Sequence, residues 1–133
     1  MIAEGQNPLV VGDAEGFDRL LALLFVHPPS IPRLLKPVLV RSALAHREFN
    51  QKVFREIRGT PLALEAELSG SRIPTLIAWG DPDRLVHVSG AEVLRARMLQ
   101  AHVAIQKNVG HVPMLETPQA TAADFLTFQA GLR

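Results

Sequence analysis

Two short stretches in the second half of the sequence carry residues that could do acid–base chemistry. The first, Trp79 to Val86, places Asp81 and Asp83 directly after a largely apolar run. The second, Asn108 to Pro113, places His111 after a second apolar run. Gly, Pro and Asp residues at such a point ordinarily form a turn, and a lone histidine in a loop is usually a surface residue. Neither stretch alone therefore establishes a functional site.

Taken together, the two stretches are stronger evidence for a functional site. Asp83 and His111 lie 28 positions apart, at equivalent ends of two predicted neighbouring strands. Parallel strands lie about 4.8 Å apart, so side chains from the two loops can meet. A carboxylate bonded to Nδ1–H of an imidazole fixes the tautomer and leaves the other nitrogen free to act as a general base.

The elements that must position this pair form a repeating pattern. The apolar run Pro74 to Trp79, closed by Gly80, predicts a strand buried on both faces, and residues 103–107 predict a second strand. A Ser-x-x-Glu capping box at Ser89 and Glu92 opens a helix that runs to about Leu99. Thr117 and Pro118 supply an N-cap and a first-turn proline for a last helix, which ends near Gly131. Strand, helix, strand, helix predicts a βαβα unit of a parallel sheet.

The first 70 residues have a helical pattern instead. Asp13 can cap a helix with apolar residues at offsets of 0, +3, +4 and +7, namely Phe17, Leu20, Leu21 and Leu24. A second helix is predicted from Ser30, with a kink or break at Pro37. A third carries its apolar residues on one face and ends at a glycine: Phe49, Val53, Ile57 and Gly59.

The second half resembles the end of an α/β-hydrolase. The pattern W-G-x-x-D-x-x-V, then G-H, then E-x-P before a final helix covers roughly residues 73–133. Matched residue by residue, the motif's acid falls on Asp83 and its base on His111, while Asp81 falls on a variable position. The first 70 residues are similar to the helical cap of bacterial lipases and of the monoacylglycerol-lipase-like branch. The resemblance therefore implies a cap over residues 1–70 and the C-terminal part of the core over residues 71–133.

The fold class expected is α/β, as a partial α/β-hydrolase fold in which the helical cap precedes the βαβα unit. A sheet of two strands leaves two unprotected edges. We therefore expect further strands to lie upstream of Met1 or to come from another chain.

The function implied by the resemblance is that of a serine carboxylic-ester hydrolase, an esterase or lipase, in which the chain order is Ser, acid, His. The sequence has no G-x-S-x-G and no H-G-G-type oxyanion loop, and none of its five serines sits on a nucleophile elbow. We therefore expect the chain to supply the acid and the base without being competent alone. The cap residues expected to line an acyl-chain site are Phe17, Leu20, Leu21, Leu24 and Phe25, although one helical face must also pack on the core.

Other functions stay open at this point. The chain could be a non-catalytic binding or oligomerising fragment, pairing with a second copy through an open sheet edge. Another polypeptide could supply the serine half of a split enzyme. A carbon–carbon bond hydrolase on the same scaffold is a further alternative. Epoxide hydrolases and haloalkane dehalogenases fit less well, because the chain has no tyrosine and its single tryptophan lies in a predicted strand.

The composition of the chain limits the classes of ligand and partner that we expect. The formal net charge is +1, with no basic patch that would indicate nucleic acid. There is no cysteine and no H-E-x-x-H motif, so we expect neither a metal nor an organic cofactor. No apolar run approaches the length of a membrane span. We expect a small-molecule ester or acylglycerol substrate for the complete protein, and the lack of cysteine and of a visible signal peptide favours the cytoplasm.

Overall fold

A computed structural model describes residues 7–59 and 64–132 of the chain. Those residues form two compact units, one of residues 7–22 and 29–59 and one of residues 23–28 and 64–132. Both strands belong to the second unit. The elements in chain order are α1 Ala14–Leu24, α2 Lys36–Ala45, α3 Arg47–Gly59, α4 Leu64–Glu67, β1 Thr75–Gly80, α5 Ser89–Arg97, β2 Ala101–Gln106, α6 Pro113–Glu116 and α7 Pro118–Ala130.

The helix starts of the first unit follow from capping and from proline. Asp13 caps α1 as predicted, because its Oδ1 accepts the N–H of Gly16 at 2.6 Å. The second predicted helix is present, but its predicted start at Ser30 is wrong, since α2 begins at Lys36. Pro37 does not kink α2 but lies in its first turn, where a missing N–H costs no intrahelical hydrogen bond.

The third predicted helix is confirmed in position. α3 ends at the expected glycine, Gly59. Its apolar face is only partly covered within the described residues, because Phe49 is 66% exposed and Ile57 is 55% exposed.

The sheet of the second unit is a parallel pair. β1 and β2 pair in register from Thr75 with Ala101 to Gly80 with Gln106. The N–H of Asp81 then donates to the carbonyl oxygen of Gln106 at 2.9 Å and extends the pairing by one residue. The predicted βαβα order is therefore confirmed, and the two loops that follow the strands leave the same edge of the sheet.

The capping box predicted for α5 is wrong. The N-cap position is Val88 and no side chain caps it. The Oγ of Ser89 lies 2.9 Å from His87 Nδ1, and Glu92 pairs with Arg95 at 2.7 Å. Both side chains thus bond to other side chains instead of the N-terminal amides, and the helix ends two residues before the predicted Leu99.

The last helix begins at the predicted proline and ends before Gly131, as expected. Thr117 occupies the N-cap position, but its hydroxyl makes no cap hydrogen bond. It donates instead to the Oε1 of Gln106 at 2.6 Å, so the start of α7 is fastened to the end of β2.

Candidate active site

Asp83 lies in the loop after β1 with its side chain buried, only 3% exposed. Its Oδ1 accepts the backbone N–H groups of Leu85 at 2.8 Å and Val86 at 2.9 Å. Asp side chains commonly stabilise a turn in this way. The turn chemistry and the chemistry of a functional carboxylate are therefore compatible here, because the two backbone bonds occupy one oxygen and leave the other free.

The second oxygen of this carboxylate meets His111. The distance from Asp83 Oδ2 to His111 Nδ1 is 2.8 Å, so the predicted meeting of the two loops is confirmed. An ionised carboxylate can only accept a hydrogen bond, which places the proton of the neutral imidazole on Nδ1 and leaves a lone pair on Nε2. The side chain of His111 is 33% exposed, and its Nε2 has no hydrogen-bond partner within residues 7–59 and 64–132. The pair is arranged as a general base oriented by an acid.

Two glycines allow the loops to approach this closely. A Cβ on Gly80 would overlap the carbonyl oxygens of Val109 and Gly110, so the end of β1 and the histidine loop are in backbone contact. A Cβ on Gly110 would meet the carbonyl oxygen of Leu24 and would lie 3.1 Å from a carboxylate oxygen of Glu116. Neither position has room for a side chain, which accounts for the glycines in the W-G and G-H motifs.

The backbone of the histidine loop is held from a second side. The N–H of His111 donates to the carbonyl oxygen of Leu24 at 2.8 Å. Glu116 accepts the N–H of Gly110 at 2.8 Å and the N–H of His27 at 2.7 Å. Glu116 is the glutamate of the E-x-P motif. The motif indicated the resemblance to α/β-hydrolases, but the sequence analysis did not predict that Glu116 holds the histidine loop.

A buried amide at the end of β2 was also missed. Gln106 is 9% exposed, and its Nε2 donates to Asp124 Oδ2 at 2.7 Å and to Thr121 Oγ1 at 3.2 Å. Together with the hydroxyl of Thr117 on its Oε1, these bonds join β2 to α7. A glutamine in an alternating strand gives no sequence signal that its partners lie on a later helix.

The other carboxylate of the first motif has a different role. Asp81 forms a salt bridge with Lys107, whose side chain is 82% exposed. The sequence prediction ranked it below Asp83, and the geometry agrees, because Asp83 is the one bonded to His111.

The predicted cap residues are divided between the two units. Phe17, Leu20 and Leu21 belong to the first unit, while Leu24 and Phe25 belong to the second. Phe17 and Phe25 are buried and the three leucines are half-buried. An open cavity of about 590 Å³ in the first unit is lined by other residues: Ala14, Arg33, Lys36, Pro37, Val40, Arg41 and Leu44. The acyl-chain lining stays a prediction.

Residues 7–59 and 64–132 contain five serines, together with His, Asp and Glu side chains of the kinds that bind metals. None of the serines there hydrogen-bonds to His111, and Ser71 Oγ instead accepts the N–H of Ile73. No group of three His, Cys, Asp or Glu side chains in that part of the chain is placed to hold a metal ion. Nor does any of its helices have the length and apolar character needed to cross a membrane.

Comparison with known proteins identifies the fold of the chain. No protein-family model matches the chain. The crystal structure of a membrane phospholipase A, described as a bacterial virulence factor, superposes with a TM-score of 0.92 at 43% identity, over 97% of this chain and 42% of that one. The chain has a partial α/β-hydrolase fold.

Curated relatives point the same way. Lipase 3 of Moraxella sp. (strain TA144) is 30% identical over 128 residues, which are 96% of this chain and 41% of the relative. Monoacylglycerol lipase ABHD6 of Mus musculus is 28% identical over 127 residues, which are 94% of this chain and 38% of the relative. The chain therefore spans about 40% of the length of the curated relatives it matches.

Proposed function

We propose that this chain supplies the acid and the base of a Ser-His-Asp triad in a carboxylic-ester hydrolase of the esterase or lipase type. The observation that carries the proposal is the 2.8 Å hydrogen bond between the buried carboxylate of Asp83 and Nδ1 of His111. The names of the relatives, lipase and monoacylglycerol lipase, support an ester or acylglycerol as the substrate class.

The proposed mechanism is acyl transfer. A serine outside this chain attacks the ester carbonyl while His111 Nε2 takes the hydroxyl proton, and Asp83 stabilises the imidazolium that forms. The imidazolium then gives this proton to the alkoxide, so that the alcohol leaves and an acyl-serine ester remains. Water attacks that ester with His111 again as the base, which releases the acid and the free serine. Phe17, Leu20, Leu21, Leu24 and Phe25 are the proposed lining for the acyl chain.

The test uses the full polypeptide that the gene encodes and hydrolysis of p-nitrophenyl butyrate. We expect His111→Ala to lower kcat by at least about 1,000-fold, because loss of a triad member removes the covalent route. His46→Ala, a matched control at the exposed end of α2, is expected to retain kcat within about twofold, since the His46 side chain is exposed and its ring bonds only locally, to the carbonyl oxygen of Ser42. An active His111→Ala enzyme would refute the proposal.

A second measurement locates the nucleophile. A fluorophosphonate probe should label a serine outside this chain, and the chain expressed alone should show no turnover above the uncatalysed rate. Label on one of the five serines of this chain would contradict the assignment. Pairing with a second copy and a cytoplasmic location remain predictions, which light scattering and cell fractionation would test.

A further inference from the structure

The carboxylate of Glu116 makes an unusual set of contacts for a glutamate at the end of a short helix. Its Oε2 accepts the N–H of Gly110 at 2.8 Å and the N–H of Val26 at 3.3 Å. Its Oε1 accepts the N–H of His27 at 2.7 Å. Glu116 forms no ion pair with a Lys, Arg or His side chain in the described part of the chain. Its charge is therefore directed at backbone amides of two segments, one 6 positions and the other about 90 positions before it in the sequence.

These two segments meet at the proposed base. One is the residue directly before His111, and the other is the turn of residues 24–27, which begins at the last residue of α1. The same turn also accepts the N–H of His111 itself through the carbonyl oxygen of Leu24, at 2.8 Å. Asn108 Nδ2 adds a contact to His27 Nε2 at 2.9 Å. The backbone at positions 110 and 111 is thus tied to one turn, and Glu116 holds the turn and the loop together.

We propose that Glu116 is a positioning residue for His111, which acts on the backbone of the base as Asp83 acts on its ring. This inference rests on the proposed triad function. Asp83 fixes the rotation and the tautomer of the imidazole, whereas Glu116 fixes where the Cα of His111 lies relative to the ester. A displacement of about 1 Å at a reacting group can cost about 100-fold in rate.

The contacts require a carboxylate rather than an amide. Three N–H donors need at least three lone pairs on two oxygens, and an ionised carboxylate has about four acceptor sites. Glutamine has one acceptor oxygen, so its NH₂ group would face either His27 N–H or Gly110 N–H. Hydrogen bonds to a charged acceptor are also roughly twice as strong as those to a neutral one. Glu116→Gln therefore loosens the loop while it keeps the size of the side chain.

The experiment is a double-mutant cycle in the full polypeptide that the gene encodes, with p-nitrophenyl butyrate as substrate. We expect Glu116→Gln to lower kcat about 10- to 100-fold with KM changed less than about threefold. In the His111→Ala background, the same substitution should change the residual rate less than about twofold, because the group it positions is gone. Glu92→Gln, an exposed glutamate paired with Arg95 on α5, is the matched control and should leave kcat unchanged.

The possible outcomes separate the two proposals. If His111→Ala keeps full activity, the triad function itself fails. If His111→Ala is inactive but Glu116→Gln retains kcat, or if its loss persists in the His111→Ala background, the positioning role alone is overturned. Should Glu116→Gln fail to fold by circular dichroism, Glu116→Asp, which keeps the charge, replaces it in the same cycle. Failure of both variants to fold would show a purely structural residue and overturn the inference.

Discussion

Replacement of Gly80 by alanine tests whether the acid and base loops depend on backbone contact. The new Cβ would overlap two carbonyl oxygens, those of Val109 and Gly110, and would lie 2.8 Å from the carbonyl carbon of Val109. These are backbone atoms, so no side chain can rotate away. The loop that holds them is fastened by Glu116 and by Leu24, so β1 and the loop must separate to admit the methyl group.

The expected loss of stability follows from the movement of β1 away from the histidine loop. Overpacking a filled site typically costs about 1–3 kcal/mol. Separation also stretches the bond from Asp81 N–H to Gln106 at the end of the sheet, and a hydrogen bond of this kind contributes about 1 kcal/mol net. We therefore expect Gly80→Ala to lower the free energy of unfolding by about 2–4 kcal/mol.

The measurement is urea unfolding of the full polypeptide, followed by far-UV circular dichroism. Gly59→Ala is the matched control, because a Cβ there meets nothing within 4 Å. Its effect should be neutral or stabilising by up to about 1 kcal/mol, since alanine favours helix over glycine. A Gly80→Ala protein as stable as the control would refute the reasoning, because it would show that the loops do not touch through this glycine.

Three further substitutions test separate parts of the site. Asp83→Asn can keep the two backbone bonds but presents an NH₂ group to His111 Nδ1, so the ring proton moves to Nε2. We expect kcat for an ester to fall about 10,000-fold, and retained activity would contradict the role of the acid. Gln106→Leu removes the bond to Asp124 and should cost about 1–3 kcal/mol in urea unfolding; an unchanged midpoint would show that the buried amide does not join strand to helix. Lys107→Ala breaks only an exposed ion pair and should change stability by less than about 0.5 kcal/mol in the same assay, so a loss above 1 kcal/mol would be unexpected.

The part of the fold that the sequence predicted is the part set by local chemistry. The predicted strands at residues 74–79 and 103–107 lie within two residues of the observed bounds of β1 and β2, and the motif spacing placed Asp83 and His111 at the same sheet edge. The cap at Asp13 and the end of α3 at Gly59 also depend on residues a few positions apart. Such features need no knowledge of the rest of the molecule.

The predictions failed where the local structure depends on distant or competing hydrogen-bond partners. The predicted capping box failed because both side chains bond to nearby side chains instead, Ser89 to His87 and Glu92 to Arg95. The turn of residues 24–27 was not predicted, since its hydrogen bonds to positions 111 and 116 are made by backbone groups that most residues carry. Hydrophobic periodicity and residue propensities carry no information about such bonds. The anchoring of the histidine loop by Glu116 is therefore visible only in the structure.

Trp79 gives the chain a built-in optical reporter. It is the single tryptophan of the sequence, which also has no tyrosine. Its indole N–H donates to the carbonyl oxygen of Val86 at 3.1 Å, and a Cβ on Gly90 would lie 3.0 Å from its ring, so the ring packs directly on that glycine. The intrinsic fluorescence of this chain therefore comes from an indole that closes the loop carrying Asp83, and a shift in its emission would signal loosening of that loop without any attached label.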